Sequence, residues 1–429
     1  MIGQNSSVLA NFTALQNDPT TSWVSEPDTR GTAGVLYSCV FTIYLCVWSA
    51  IHPNIPSVFS FRKRKFLSLL EALFAPELIL YLAFEQRVSA KALQKRLNEC
   101  ALLHKREPNF SLKYAFYVVM GAFHISFDCG FMPFAKAEDD NGSSKEDDEE
   151  KTKNRWKITP KGVIHLAEQG IFLEFSDEDI EDKSKSDAFA KVLVCIQVVW
   201  TFISITSRAI VGYPISLLEL HTIVHVTSAV GMYIIWFNKP VGVRVPTQVT
   251  SEEIDQEFRR FCTVAKRLEE PDIAFLDLLK PVRGIEFHKF RVYRHFVGSQ
   301  REVRKKIFFG MFVSLCFSGI HLMAWNFMFP SFAERVVWRI SAFGSLLFPW
   351  FLSLSVLSCP KLSDIFRSFP RISKAMDDFY RFAAAVYLMA GYVCWPFRLY
   401  IVIESFISLR NAPSGIYVSV PWSEYFPHF

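Results

Sequence analysis

Six long stretches of the chain are almost free of charge: Gly34–Ile51, Val192–Arg208, Leu217–Phe237, Ile307–Phe329, Val336–Leu357 and Phe382–Ile407. Each is close to the ~20 residues that a helix needs to cross a bilayer core of about 30 Å. Two further apolar segments are disputed. Phe66–Phe84 carries Glu71, Pro76 and Glu77; Tyr114–Phe134 carries His124, Asp128, two glycines and Pro133, and reads equally well as a buried strand of a soluble domain. The expected fold class is an all-α polytopic membrane protein with about six firm transmembrane helices, two disputed apolar segments and a small mixed cytosolic domain.

Basic residues beside the spans orient the chain. Arg62, Lys63, Arg64 and Lys65 follow the first span closely, which puts that loop in the cytosol and the N-terminus outside. The sequons at Asn5 and Asn11 agree as glycosylation sites. The basic loop from Asn238 to Lys306 is also expected in the cytosol, so an even number of crossings must separate the two loops. The hairpin Val192–Arg208 and Leu217–Phe237 supplies two, and the disputed segments must therefore both cross or both fail to cross. Lys and Arg between them favour failure, with Phe66–Phe84 dipping in and returning at Pro76. A third sequon, Asn109-Phe110-Ser111, points the other way, and the sequence leaves the choice open.

The resulting division is an extracytosolic tail over 1–33, a first span with a re-entrant or second span over 34–84, and a cytosolic domain over 85–187. A transmembrane hairpin over 188–237, a basic amphipathic region over 238–306 and a three-span bundle over 307–429 follow. Within the cytosolic domain, 138–153 is a charged acidic run with nothing to bury and reads as a disordered insertion. Trp156–Phe175 has helix and turn signals. Ser176 before Asp177, Glu178 and Asp179 reads as a helix start with a capping serine and acids in the first turn. From there DIEDKSKSDAFAK is expected to run as helix into the span at Val192.

Composition narrows the classes. Hydrophobic residues make up 51% of the 429 residues, with 42 Phe, and this apolar content at this length fits a membrane protein better than a soluble one. The net charge of +5 is too small to read as a nucleic-acid footprint. Basic residues over 289–306 make that stretch the candidate for contact with anionic lipid; the bilayer itself is the one partner expected with more than charge behind it. Among the nine Cys, Cys39, Cys46, Cys195, Cys316 and Cys394 sit in apolar runs as small hydrophobes, and no zinc-type spacing occurs. The first 30 residues have no apolar h-region, so no cleavable signal is expected. No phosphate loop, nucleophile elbow, HExxH or Rossmann fingerprint occurs, and no cofactor is expected.

The candidate chemistry lies where charge meets hydrocarbon: Glu77, Arg208, Glu219, His221, His225 and Arg398, with Glu71, His321 and Glu404 beside them. In LLELHTIVHV, His221 and His225 are four apart and share a helix face, whereas Glu219 lies about 200° round from His221. This is not a zinc-protease arrangement, and no third ligand can be named, so no metal is expected. Glu219 is expected to pair with Arg208 across the turn holding Gly212 and Pro214. Arg398 follows Trp395-Pro396, where a kink would free carbonyls beside a cation.

Several short motifs stand in order along the chain: Arg30-Gly31-Thr32 with Ser38-Cys39, Cys46, Trp48, His52, Asn54 and Pro56; Ala75-Pro76-Glu77-Leu78; Met120-Gly121-Ala122-Phe123; Asp182-Lys183-Ser184-Lys185-Ser186-Asp187. Leu218-Glu219, Tyr233, Trp236, Lys239-Pro240 and a closing Trp422 to His428 complete the set. The set resembles a group of uncharacterised filamentous-fungal multi-pass membrane proteins, with two departures at Ala122 and His221. The resemblance implies an integral membrane location and a fungal source, and no activity. Three function classes stay open: a non-catalytic sensor, scaffold or assembly partner; a transporter or channel for a small molecule; and a membrane-embedded enzyme acting on a lipid or hydrophobic metabolite.

Overall fold

The structure is a computed structural model that describes residues 23–25, 30–55, 61–126, 155–184, 188–243, 245–265, 279–281, 300–365 and 394–418. It is mostly helical with one small sheet. Among the described residues, four helices are long and apolar enough to cross a membrane: α1 (Thr32–Ala50), Val192–Val211 within α7 (Ala188–Val211), α8 (Leu217–Ile235), and Arg304–Asn326, formed by α10 (Gln300–Leu322) and the 3₁₀ turn Met323–Asn326. Six such spans were expected. The fifth, Val336–Leu357, lies inside the 34-residue helix α11 (Phe332–Ile365), which continues through Pro349. The sixth, Phe382–Ile407, is described only as helical residues 394–407, called α12.

Between α1 and α7 lie α2 (Phe61–Phe74), α3 (Pro76–Leu103), α4 (Leu112–Val119), β1 (Phe123–Ser126), β2 (Arg155–Ile158), α5 (Pro160–Glu168) and α6 (Asp177–Lys183). The disputed segments resolve differently from one another. Phe66–Phe84 is broken at Ala75, whose backbone leaves the helix (φ −144°, ψ 63°); Pro76 then starts α3, where its missing N–H costs nothing. Tyr114–Phe134 is no helix of membrane length over its described part. It forms α4, a turn at Gly121 in the left-handed region (φ 79°), and β1. The β-branched and aromatic residues around His124 suit a short strand, and the glycine supplies the turn.

The sheet has the order β3-β1-β2-β4, where β3 is Thr247–Val249 and β4 is Leu279–Pro281. β1 and β2 pair antiparallel with Ile125 opposite Trp156; β1 and β3 run parallel with His124 opposite Gln248; β2 and β4 are antiparallel with Lys157 opposite Lys280. The chain between β1 and β3 includes both helices of the α7–α8 hairpin, so this parallel pairing joins segments on either side of the hairpin. α9 (Glu252–Ala265) follows β3 and buries Ile254 and Phe258 in the core of this lobe.

Ser176 caps α6 as expected, in a full capping box with Asp179. Helix does not run on into α7, however. α6 stops at Lys183, and Ser184 is extended, its hydroxyl bonded to both the carbonyl and the amide of Val241. A side chain that competes for backbone groups ends the helix here. The acidic run 138–153 lies outside the described residues, as do Asn5, Asn11 and the closing Trp422 to His428.

One continuous core joins the sheet lobe to the helices. It contains Phe116, Tyr117, Ile125, Trp156, Ile158, Leu166 and Phe258 from the lobe. It also contains Ile43 and Val47 of α1, Ala83 of α3, and Val226, Ala229 and Met232 of α8. α8 is the central helix, with 61% of its apolar window buried against 17% for α7.

Candidate functional site

Four clusters of buried polar groups in the bundle hold the candidate residues, and they join parts of the chain that looked separate along the sequence. The first is at the end where α7 turns into α8. Gly212 takes a positive φ (86°) and closes α7, as glycine does past a helix C-terminus. Ser216 then caps α8: its hydroxyl accepts the Glu219 amide at 3.1 Å, and the Glu219 carboxylate accepts the Ser216 amide at 2.9 Å. The other carboxylate oxygen accepts from the Arg30 guanidinium at 2.6 Å. Glu219 therefore pairs with Arg30 rather than with Arg208 as the sequence suggested. Arg208 is instead fully buried and donates to four carbonyls: Pro214 (3.2 Å), Gly415 (2.8 Å), Ile416 (2.9 Å) and Val418 (2.6 Å). Those carbonyls belong to the turn and to the C-terminal segment, and a guanidinium with its five donors is the side chain that can satisfy several at once. Thr32 joins the cluster, its hydroxyl accepting the Val24 amide at 3.0 Å and lying 3.3 Å from the Tyr417 hydroxyl. Beneath it, Leu218 packs with Val35, Cys39, Leu409 and Ile416. The Arg30-Gly31-Thr32 and Leu218-Glu219 motifs thus form one clamp.

The second cluster is at the opposite end, facing the sheet lobe. Buried Lys239 donates to the His52 carbonyl at 2.5 Å, Asn54 at 3.0 Å and Gln86 at 2.8 Å, and lies 4.5 Å over the Trp236 ring. Trp236 Nε1 donates to the same Gln86 oxygen at 3.1 Å. Arg87 donates to the carbonyls of Ile234 and Ile235 at 2.9 and 2.8 Å, which closes the C-terminal end of α8. The stretch around His52 and the Lys239-Pro240 motif are therefore two halves of another clamp, one that Ile55 extends by donating its amide to Met120 of the lobe at 3.3 Å.

The third lies between the clamps. Glu77, in the first turn of α3 just after the break at Ala75, forms an ion pair with Arg398 of α12. Both are buried. The Arg398 guanidinium lies 5.1 Å over the Phe317 ring. Burying the pair excludes water from both charges, so each group is held by the other.

The fourth is a row of imidazoles. His221 and His225 of α8 meet His321 of α10, and all three are buried. His221 Nδ1 lies 3.2 Å from His321 Nε2, His221 Nε2 lies 3.1 Å from His225 Nε2, and His321 Nδ1 lies 2.8 Å from the Phe317 carbonyl. Trp338 of α11 donates to the His321 carbonyl at 3.2 Å. The polar residues fall at one-turn spacing on both helices, with Ser314, Ser318 and His321 on α10 and His221, His225 and Ser228 on α8, all buried. The i, i+4 spacing of His221 and His225 foretold a shared face. It did not foretell that His321, a hundred residues away, completes the row.

The six candidate residues thus fall into three groups rather than one: Arg208 and Glu219 at one end, Glu77 with Arg398 in the interior, and His221 with His225 beside His321. Arg30 and Lys239 emerge as charged partners in the two clamps that charge counting passed over, because both lie just outside the apolar windows. Lys306, expected to face anionic lipid with the rest of 289–306, turns inward instead: it is buried, 3.9 Å from Glu85 and 3.3 Å from the Ser89 hydroxyl. Arg304 and Lys305 beside it are exposed, and 289–299 lie outside the described residues.

Among the described residues no group of three or more His, Cys, Asp or Glu is placed to hold a metal ion. No curated protein and no solved structure matches the chain. A family model matches residues 5–270 and 297–429, which takes in both clamps, the ion pair and the imidazole row, so the chain belongs to that family, described as a family of unknown function (DUF8562).

Proposed function

We propose that the protein is an integral membrane protein that works without catalysis, as a sensor or assembly component whose cytosolic sheet lobe responds to the state of its membrane helices. The observation that carries this is the single core shared by lobe and bundle, from Ile43 in α1 through Met232 in α8 to Phe258 in α9. A lobe that merely hung from the membrane would keep its own core; this one cannot move without repacking α1, α3 and α8. In this reading α7 is a peripheral span, with Val192, Ile196, Val199 and Phe202 facing lipid. The N-terminus and the segment 408–418 face outward. α2 enters from the cytosolic side, turns at Ala75-Pro76 and returns as α3. Lys239 with His52 supports a shared cytosolic side for the loops after α1 and α8, and Ile55 with Met120 ties the first of these loops to the lobe.

The test perturbs the bundle and reads the lobe. In lipid nanodiscs, Arg398→Gln breaks the interior ion pair far from the sheet. The proposal expects amide hydrogen exchange to rise at least tenfold in β1, β2 and α5. Faster exchange confined to α3 and α12, with the lobe unchanged, overturns it.

A second reading, transport of a small molecule, is favoured by one specific feature: a charged pair beside a helix break in the interior, the arrangement that discontinuous transporter helices use. If Glu77→Gln and Arg398→Gln change the metabolite profile of the native host while protein level holds, this second reading is favoured. If only protein level falls, the pair is structural.

A further inference from the structure

The imidazole row has a direction, and the hydrogen bonds dictate it. A carbonyl can only accept, so His321 Nδ1 carries the proton that reaches the Phe317 oxygen. In the neutral ring, His321 Nε2 is then a lone pair and accepts from His221 Nδ1. His221 Nε2 is left as an acceptor and takes the N–H of His225 Nε2. One tautomer of each ring satisfies the whole row, and it ends on a bare acceptor: His225 Nδ1 is buried with no hydrogen-bond partner among the described residues. A single metal ion does not fit the same geometry, because His221 uses both of its nitrogens on opposite neighbours and one ion cannot take both lone pairs of one ring.

We infer that the row is a proton relay, in which His225 Nδ1, closed to solvent in this conformation, takes up a proton when a local opening admits water, and the charge comes to rest on His321. A proton from hydronium bonds to Nδ1 of His225 and releases water. The Nε2–H bond of His225 breaks as that proton joins Nε2 of His221. The Nδ1–H bond of His221 breaks as its proton joins Nε2 of His321. One proton has entered, none has left, no electrons have changed owner, and His321 holds one positive charge with Nδ1–H still bonded to Phe317.

The two helices bias where that charge settles. His221 is the fifth residue of α8, close to the positive end of its dipole, whereas His321 is in the last turn of α10, at the negative end. His321 also lies between aromatic faces, its ring centroid 4.6 Å from Phe317 and 5.8 Å from Trp338, where an imidazolium gains cation–π stabilisation. The charged and titratable groups on the surrounding elements include buried Glu404 of α12, which interacts with Tyr400 and with Glu334 of α11, and Glu334 is itself paired with Arg410. Glu219 on α8 is held by Arg30, and Arg208 on α7 by carbonyls. On α1 the nearest is Cys39, beside Thr222 and Glu219. On α3 and α12, Glu77 and Arg398 are paired with one another, with Arg398 over the Phe317 ring. On α11, Arg335 and Arg339 lie over Phe332 and Trp325 instead. The groups that act on His221 and His225 electrostatically are the other imidazoles.

Nitrogen-15 NMR of histidine-labelled full-length protein in nanodiscs tests the relay. At neutral pH the row predicts Nε2–H on His225 and Nδ1–H on both His221 and His321. On acidification the first doubly protonated ring should be His321. In His221→Phe, which cuts the row, His321 should stay singly protonated through that step. Any other tautomer set in the wild type overturns the inference without the variant, and so does His321 titrating unchanged in His221→Phe.

Discussion

Replacing Glu219 by Gln tests the clamp at the α7–α8 turn and the assignment of its partner. The carboxylate is 2% exposed and accepts from Arg30 at 2.6 Å and from the amide and hydroxyl of Ser216 at 2.9 and 2.8 Å. Removing one member of a buried ion pair costs about 3–5 kcal/mol. Arg30 is 21% exposed and recovers some hydration, and Gln keeps one acceptor oxygen while turning its NH₂ toward a donor. The expected loss is therefore about 2–3 kcal/mol, just below that range. A double-mutant cycle separates the partners: Glu219→Gln with Arg30→Met should show a coupling of about 1–3 kcal/mol. The cycle with Arg208→Met should show less than half of that, because Arg208 spends its hydrogen bonds on Pro214, Gly415, Ile416 and Val418. Unfolding in mixed micelles at rising SDS fraction, followed by far-ultraviolet circular dichroism, reads both. A larger coupling with Arg208 than with Arg30 refutes the reasoning.

Three further outcomes follow from the same geometry. Lys239→Met leaves the His52 carbonyl, Asn54 and Gln86 without their common donor and should cost about 3 kcal/mol or more, since hydrogen bonds to a charged group contribute roughly 1.5–3 kcal/mol each and do not add fully; the same SDS titration checks it. Gly344→Ala places a methyl 2.7 Å from the Phe397 ring and should destabilise by about 1–3 kcal/mol through overpacking of α11 against α12, whereas Gly319→Ala, which meets nothing within 4 Å, should be tolerated. The hydroxyl and amide of Ser176 hold the Asp179 carboxyl below its ordinary range. The stability this lends to α6 is thus present above that ordinary range and lost as pH falls through the depressed value. Hydrogen exchange at the Asp179 and Ile180 amides should speed up over that interval, and Ser176→Ala should reduce the pH dependence, leaving the part that the backbone amide at 176 supplies.

The membrane-length helices were legible because an apolar run of that length has few other readings; α1, α8 and the Val192–Val211 stretch begin or end within a few residues of the expected limits. The Ser176 cap was legible for a local reason, as its partner Asp179 is three residues away. Tyr114–Phe134 was not, because a strand buried inside a lobe and a short span present the same apolar residues; only the pairing of Ile125 with Trp156, across a charged insertion, decides it. The partner of Glu219 was misassigned for a related reason. Arg208 is eleven residues away and Arg30 is 189, and sequence proximity favours the wrong one until α1 packs beside α8. His321 was visible as a lone polar group in an apolar run, but its union with His221 depends on α8 and α10 running side by side, which no spacing encodes.

The account rests on hydrocarbon surrounding these helices, and Cys316 offers the most direct check. Its side chain is exposed on α10, on the same face as Phe308 and Phe312. With the other eight cysteines replaced and a nitroxide attached at Cys316 in lipid vesicles, power-saturation EPR compares collisions with oxygen, which dissolves in lipid, against a water-soluble nickel chelate. Oxygen should dominate strongly at this position. Equal access, or access favouring the nickel chelate, would contradict the membrane reading and everything built on it.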